Sequence, residues 1–148
     1  MPPKKQEKKH EVKKYRSFVM EGLKVNEPSD CFSNRNKIEI TFISRRNRRR
    51  SSDYDAAPPG NRHLFNEDNI IRELSAKRNF AVAAYSFEKL SKREQVVIAC
   101  KSDILIGVHS GALLNAMWLK PGALLLQTQV PGSEYGTHEI WKRPPLLV

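Results

Sequence analysis

"SKREQVVIACKSDILIGVHSGALLNAMWLKPGALLLQT", Ser91 to Thr128, decides the fold. Ser91 with Glu94 three residues on is the spacing of a capping box, so a helix starts there and runs through "VVIAC". "DILIGV" is short and wholly apolar, the pattern of a strand covered on both faces. "SGALLNAMWL" reads as an apolar helix, with Ser110 placed to cap it. The Pro121-Gly122 turn then leads into a strand, "ALLLQT".

The same alternation extends upstream. "KIEITFIS", from Lys37, is rich in β-branched and aromatic residues and reads as a strand. "NEDNIIRELSAKR" reads as a helix, with Asn66 as N-cap and Glu67 and Asp68 in the first turn. Its apolar face is Ile70, Ile71 and Leu74, and Lys77 and Arg78 suit its end. "FAVAAYSF" reads as a second strand. The order β-α-β-α-β-α-β with short connections predicts an α/β fold, a parallel sheet with helices on both faces.

Ahead of this body, "MPPKKQEKKHEVKK" (1–14) is polar and lysine-rich and is expected to be a disordered tail or a frayed helix. Residues 15–36 are read as a helix and linker, with Phe18, Val19 and Leu23 on one side of "YRSFVMEGLKV" and "NEPSDCFSNRN" as loop. The folded domain is expected over 37–143, with an inserted Pro/Gly/Ser loop at 51–63 and a short tail at 144–148.

The chain has 148 residues and a formal charge of +10. Residues 1–24 hold eight Lys/Arg against three Glu, and residues 35–62 hold eight against three acidic residues. The rest is nearly neutral, so the basicity belongs to one tail and one loop. That distribution, without aromatic residues interleaved in the basic runs, gives no firm nucleic-acid signal. No apolar run is long enough for a membrane span, and no apolar core follows the basic N-terminus as a signal peptide requires. Cys100 ends an apolar run and is read as a buried thiol. Cys31 and Cys100 suggest neither a metal site nor a disulfide framework.

In a parallel sheet, ligands bind at the carboxyl ends of the strands. Two such ends stand out. After the third strand comes "GVHSGA", where Ser110, Gly111 and Ala112 start a helix and keep bulky side chains away from its N–H groups, a natural anion site. His109 stands at the strand end, where it can donate to a phosphate oxygen or a ribose hydroxyl. A plain strand-to-helix turn with close packing explains the same spacing. After the first strand comes "SRRNRRR". Arginine forks match phosphate oxygens in pairs, and Arg45 and Arg46 would share the crevice if the first and third strands are neighbours. Arg48, Arg49 and Arg50 fit a solvated basic turn equally well.

Taken in order, "ITFISRRNRRR", "FNEDNIIREL" and "LSKREQVVIACKSDILIGVHSGALLNAMWLKPGALLLQ" resemble the C-terminal half of glycosyltransferase family 61, over about Tyr15 to Gln127. The resemblance implies a Rossmann-like domain, the donor-binding half of a two-domain B-type inverting transferase. The donor is a UDP-sugar and is a co-substrate, with no further cofactor and no obligatory metal. It implies transfer of GlcNAc or a pentose to a protein or glycan hydroxyl. By the resemblance Arg45 is expected at the phosphates, where its position over the crevice would also put Arg46. Asn66 and Glu67 are expected near the nucleotide. His109, Ser110, Gly111 and Ala112 match the family's histidine turn. Its Gly-Ala-Gly is Ser-Gly-Ala here, and about a dozen residues intervene between the arginines and the "N-E" helix.

An inverting transfer also needs a base for the acceptor hydroxyl. No carboxylate is assigned to that role, and His109 is the one candidate. The N-terminal half of the family's enzymes is not represented, so the chain reads as a fragment, or as a domain whose partner is the missing half. The resemblance implies the ER or Golgi lumen, although no signal or anchor is visible. A basic nucleic-acid binder and an inactive Rossmann-like interaction module are the competing readings.

Overall fold

A computed structural model describes residues 4–32, 36–45, 64, 66–108 and 110–128. Four strands form one all-parallel sheet: β1 (Ile38–Ile43), β2 (Phe80–Tyr85), β3 (Ile104–Val108) and β4 (Leu124–Thr128), in the order β2-β1-β3-β4. All four lie where hydrophobic patterning puts them, and the fold is α/β and Rossmann-like. β1 pairs with β3 from Ile40↔Ile104 to Ile43↔Gly107.

Helix α3 (Glu67–Ser75) carries the chain from β1 to β2, and α4 (Lys92–Lys101) carries it from β2 across β1 to β3. Right-handed crossovers stepping in opposite directions place these helices on opposite faces. The burial of β1 agrees, since consecutive residues Ile40, Thr41, Phe42 and Ile43 are all buried. On one face Ile43 and Leu105 join Ile98 of α4, Leu113, Leu119 and Phe87 in one core cluster. The capping box at α4 forms as expected, with Ser91 N–H donating to Glu94 Oε2 (2.7 Å) and Glu94 N–H to Ser91 Oγ (3.3 Å).

The segment after β3 departs from expectation. It is a 3-10 helix, Gly111–Trp118, hereafter the tight helix, rather than an α-helix. The sequence accounts for the winding. At three residues per turn, side chains fall into three columns. Leu113, Ala116 and Leu119 pack into the core against the sheet. Asn115 and Trp118 turn toward α4, through Gln95 and the second core cluster. Leu114 and Met117 are exposed.

The lysine-rich start also differs from expectation. Residues 1–14, read as a disordered tail or frayed helix, are helical from Lys4, and α1 runs Lys4–Gly22. Lys, Glu and Gln are good helix formers, and a helix needs one anchored turn to propagate. Met20, with Val19 and Leu23, supplies that anchor by packing on Val25, Val96, Ala99 and Trp118. The short α2 (Glu27–Asp30) follows within the expected loop.

Cys31, at the end of α2, and Cys100, in α4, form a disulfide with Cα atoms 5.0 Å apart. The reading of Cys100 as a buried free thiol, with no disulfide, is therefore wrong. Both residues are buried as expected, but the packing of α2 on α4 brings together cysteines 69 positions apart. Arg93 adds a second tie, donating to Asp30 Oδ2 (3.0 Å) and to Lys24 O (3.3 Å).

At the amino-terminal edge of the sheet, polar groups pair with one another. Asp103 Oδ2 accepts from Glu39 N–H (2.8 Å), and Oδ1 pairs with Lys120 Nζ (2.7 Å). Asp103 N–H donates to Glu39 O (2.9 Å), and Leu124 N–H to Asp103 O (2.8 Å). Nearby, the buried Ser102 hydroxyl donates to Ile98 O (2.8 Å) and lies 2.7 Å from Thr41 Oγ1, from which it can accept.

Candidate functional site at the carboxyl edge of the sheet

At the opposite edge, the condition set by the arginine loop is met: β1 and β3 are direct neighbours and point the same way. Ser44 and Arg45 therefore leave the sheet beside the turn that leads into the tight helix. Ser44 is buried, and its N–H continues the β1–β2 ladder to Tyr85 O (2.9 Å). Arg45 is half-buried at the strand's end. Arg46, Arg48 to Arg50, the 51–63 insertion and His109 lie outside the described residues.

Ser110 occupies the N-cap position in extended conformation but makes no side-chain cap bond, contrary to expectation. Its Oγ is buried and has no hydrogen-bond partner among the described residues. The backbone supplies what the side chain does not, since Ser110 O accepts from Leu113 N–H (3.0 Å). Gly111 is exposed, and a Cβ built there meets nothing within 4 Å among the described residues. Ala112 is different: it packs against the core cluster.

Asn66 stands exposed at the N-cap of α3 without a side-chain cap bond. Glu67, the first residue of α3, is 3% exposed and so is held inside the protein at this same edge.

Two residues that sequence reasoning passed over shape the site. Gly107 is a matter of close approach: a Cβ there would lie 3.0 Å from Leu113 Cδ2 and 3.3 Å from Ile43 Cβ. Its hydrogen lets the tight helix settle onto β1 and β3, and the glycine interrupting an apolar strand was the available signal. Gln127, near the end of β4, has a buried Oε1 with no partner among the described residues. A glutamine closing an apolar strand was visible in the sequence but carried no motif. Ser110 Oγ and Gln127 Oε1 are thus unpaired polar atoms at the carboxyl ends of neighbouring strands. Such atoms are costly when buried and are ordinarily met by water or a ligand.

The family model for glycosyltransferase 61 matches residues 3–126. The chain belongs to glycosyltransferase family 61. In a second comparison, the EGF domain-specific O-linked N-acetylglucosamine transferase of Drosophila melanogaster is 31% identical over 91 residues. The match covers 62% of this chain and 15% of that protein. The family match takes in β1, both crossover helices, β3, the tight helix and the start of β4, which are the elements that frame the carboxyl edge.

Proposed function

We propose that this family 61 chain forms a nucleotide-sugar donor site, one half of an inverting B-type glycosyltransferase. The observation that carries the reading is the adjacency of β1 and β3, which sets Arg45 beside the start of the tight helix. A diphosphate would lie across that pair. The guanidinium would take its oxygens on one side, and the free N–H groups of the helix start would take them on the other. As the glycosidic bond to the donor breaks, the same groups would stabilise the charge left on the UDP. Arg46 and His109, next in sequence to Arg45 and Ser110, would join the cradle, and Asn66 and Glu67 would lie toward the nucleoside. Ser110 Oγ and Gln127 Oε1, unpaired among the described residues, would find partners in ligand hydroxyls or ordered water.

Similarity to the fly O-linked N-acetylglucosamine transferase favours UDP-N-acetylglucosamine as donor and a protein hydroxyl as acceptor, ahead of a pentose. The base that deprotonates the acceptor is left to His109 or to the other half of the enzyme. No metal is required in this scheme, because Arg45, Arg46 and the helix start supply the positive charge.

The test is a titration of the purified chain with UDP and then UDP-N-acetylglucosamine, followed by amide-resolved NMR. Shifts confined to Ser44, Arg45 and Gly111 to Leu113 are expected, with Arg45→Ala weakening affinity by roughly tenfold, the worth of one charge-assisted pair. Unchanged affinity in Arg45→Ala would sink the proposal. So would a response to RNA that falls steeply with salt while UDP gives none.

A further inference from the structure

The tight helix is fixed at three points along its length. Near its start, Leu113 sits over the notch left by Gly107. At its middle, Asn115 Nδ2 donates to Gln95 Oε1 (3.2 Å), and Gln95 is itself anchored to Phe87 O (2.9 Å) and Leu90 O (3.0 Å). At its far end stands Arg16, from α1, more than a hundred residues away in sequence.

Arg16 uses every donor it has. Nη1 donates to Met117 O and to Leu119 O, both at 3.3 Å, and Nη2 to Trp118 O at 3.1 Å. Nε and Nη2 close on Glu27 Oε1 at 3.0 and 2.7 Å. A guanidinium has five N–H groups, and all five are engaged. Three consecutive carbonyls at a helix end normally face solvent unpaired, and a cation there also suits the helix dipole. Glu27 keeps the guanidinium neutralised and aimed. α2, which carries Glu27, is locked to α4 through Cys31–Cys100.

We propose that Arg16 is a positioning residue for the donor site, acting through the tight helix. The inference rests on the donor-site reading above. A 3-10 helix rises about 2.0 Å per residue against about 1.5 Å for an α-helix. Rewinding eight residues would move one end by roughly 4 Å relative to the other. Arg16 holds the last carbonyls at the positions that 3-10 winding gives them. With Leu113 seated over Gly107, this sets the height at which the Ser110–Gly111 backbone meets the diphosphate. A lysine could satisfy one carbonyl but could not span three and a carboxylate together.

The test compares UDP affinity and amide shifts in the whole chain with those of Arg16→Ala, Arg16→Lys and Ser91→Ala. Ser91→Ala removes the cap of α4 and so lowers stability without touching the tight helix. In Arg16→Ala, UDP affinity should fall on the order of tenfold, since a site displaced by about an ångström loses most of its contacts. The amides of Gly111 to Leu113 should move even without ligand. Arg16→Lys should recover part of both, and Ser91→Ala should bind UDP like the parent. UDP affinity equal in the parent and both Arg16 variants overturns the role of Arg16 and leaves the donor site standing. A parent chain that ignores UDP removes the donor site and, with it, anything for Arg16 to position. Should Arg16→Ala fail to fold, Arg16→Lys decides between these outcomes.

Discussion

The two edges of the same sheet are built on opposite terms. At the amino-terminal edge, Asp103 ties β1 and β3 to Lys120, and Ser102 and Thr41 satisfy each other. The disulfide lies near this edge too, since Cys100 is one residue from the end of α4, just ahead of β3. At the carboxyl edge, among the described residues, Ser110 Oγ and Gln127 Oε1 are buried without partners, and a Cβ at Gly111 would meet nothing. Unpaired buried polar atoms reduce stability, so a fold keeps them where something else will occupy them. The contrast sets paired polar groups at one edge against unpaired ones at the other, where the proposed donor would bind, and it can be broken by separating stability from binding.

The largest effect should come from the disulfide. Closing a loop across 69 positions removes chain entropy from the unfolded state worth about 4 kcal/mol. Cys31→Ser with Cys100→Ser should therefore lower the thermal midpoint by many degrees, and a reducing agent should do the same to the parent. Calorimetry with and without reductant checks this. Equal midpoints would mean that the packing of Met20, Val25 and Trp118 holds α1 and α2 without the bond.

Next in size is a paired comparison. Asp103→Ala removes a charge-assisted acceptor from Glu39 N–H together with the Lys120 pair, a loss of about 1–3 kcal/mol, and should leave UDP affinity unchanged. Gln127→Leu removes an unpaired buried oxygen, so its stability should hold or rise while UDP-sugar affinity falls. Chemical denaturation and a binding isotherm on the same two variants decide the matter. Gln127→Leu losing stability like Asp103→Ala would abolish the distinction between the edges.

Much of this plan is written locally in the sequence. The four strands follow from β-branched and apolar runs, and their parallel order follows from alternation with helices. The capping box of α4 is visible in Ser91 and Glu94 alone. The strand order that brings Arg45 beside Ser110 was conditional in the sequence, because neighbour relations in a sheet are long-range. The winding of the tight helix was legible in principle, since Leu113, Ala116 and Leu119 repeat every three residues, but an apolar run offers an α-helix equally well. Ser110 has the right chemistry and stands at the N-cap in the extended conformation usual there, yet its hydroxyl makes no cap bond. Nothing local marks Cys31 with Cys100, or Arg16 with the carbonyls of Met117 to Leu119. Those partners meet because α1 and α2 fold back onto α4, a packing event with no short-range signature.

The smallest effect sharpens the comparison, because it concerns a polar group at the carboxyl edge that is satisfied. α4 starts where β2 ends, and there Glu94 is held by Ser91. The Ser91 side chain, then its backbone N–H, lowers the Glu94 pKa from its ordinary 4.5. A carboxyl whose pKa is lowered by folding contributes stability that is complete above its unfolded value. That contribution is lost as pH falls through the folded one. Glu94→Gln keeps an acceptor at the third helical position but cannot titrate. The midpoint of the parent should therefore exceed that of Glu94→Gln slightly at pH 7, and the gap should close as pH drops below about 4.5. Midpoints measured for both chains from neutral to acid pH give the answer. A gap that stays constant would show that the charge of Glu94 contributes nothing beyond its hydrogen bond. A gap that closes would show that the carboxyl edge holds a paired, stabilising charge after β2, the strand farthest from β4 in the sheet.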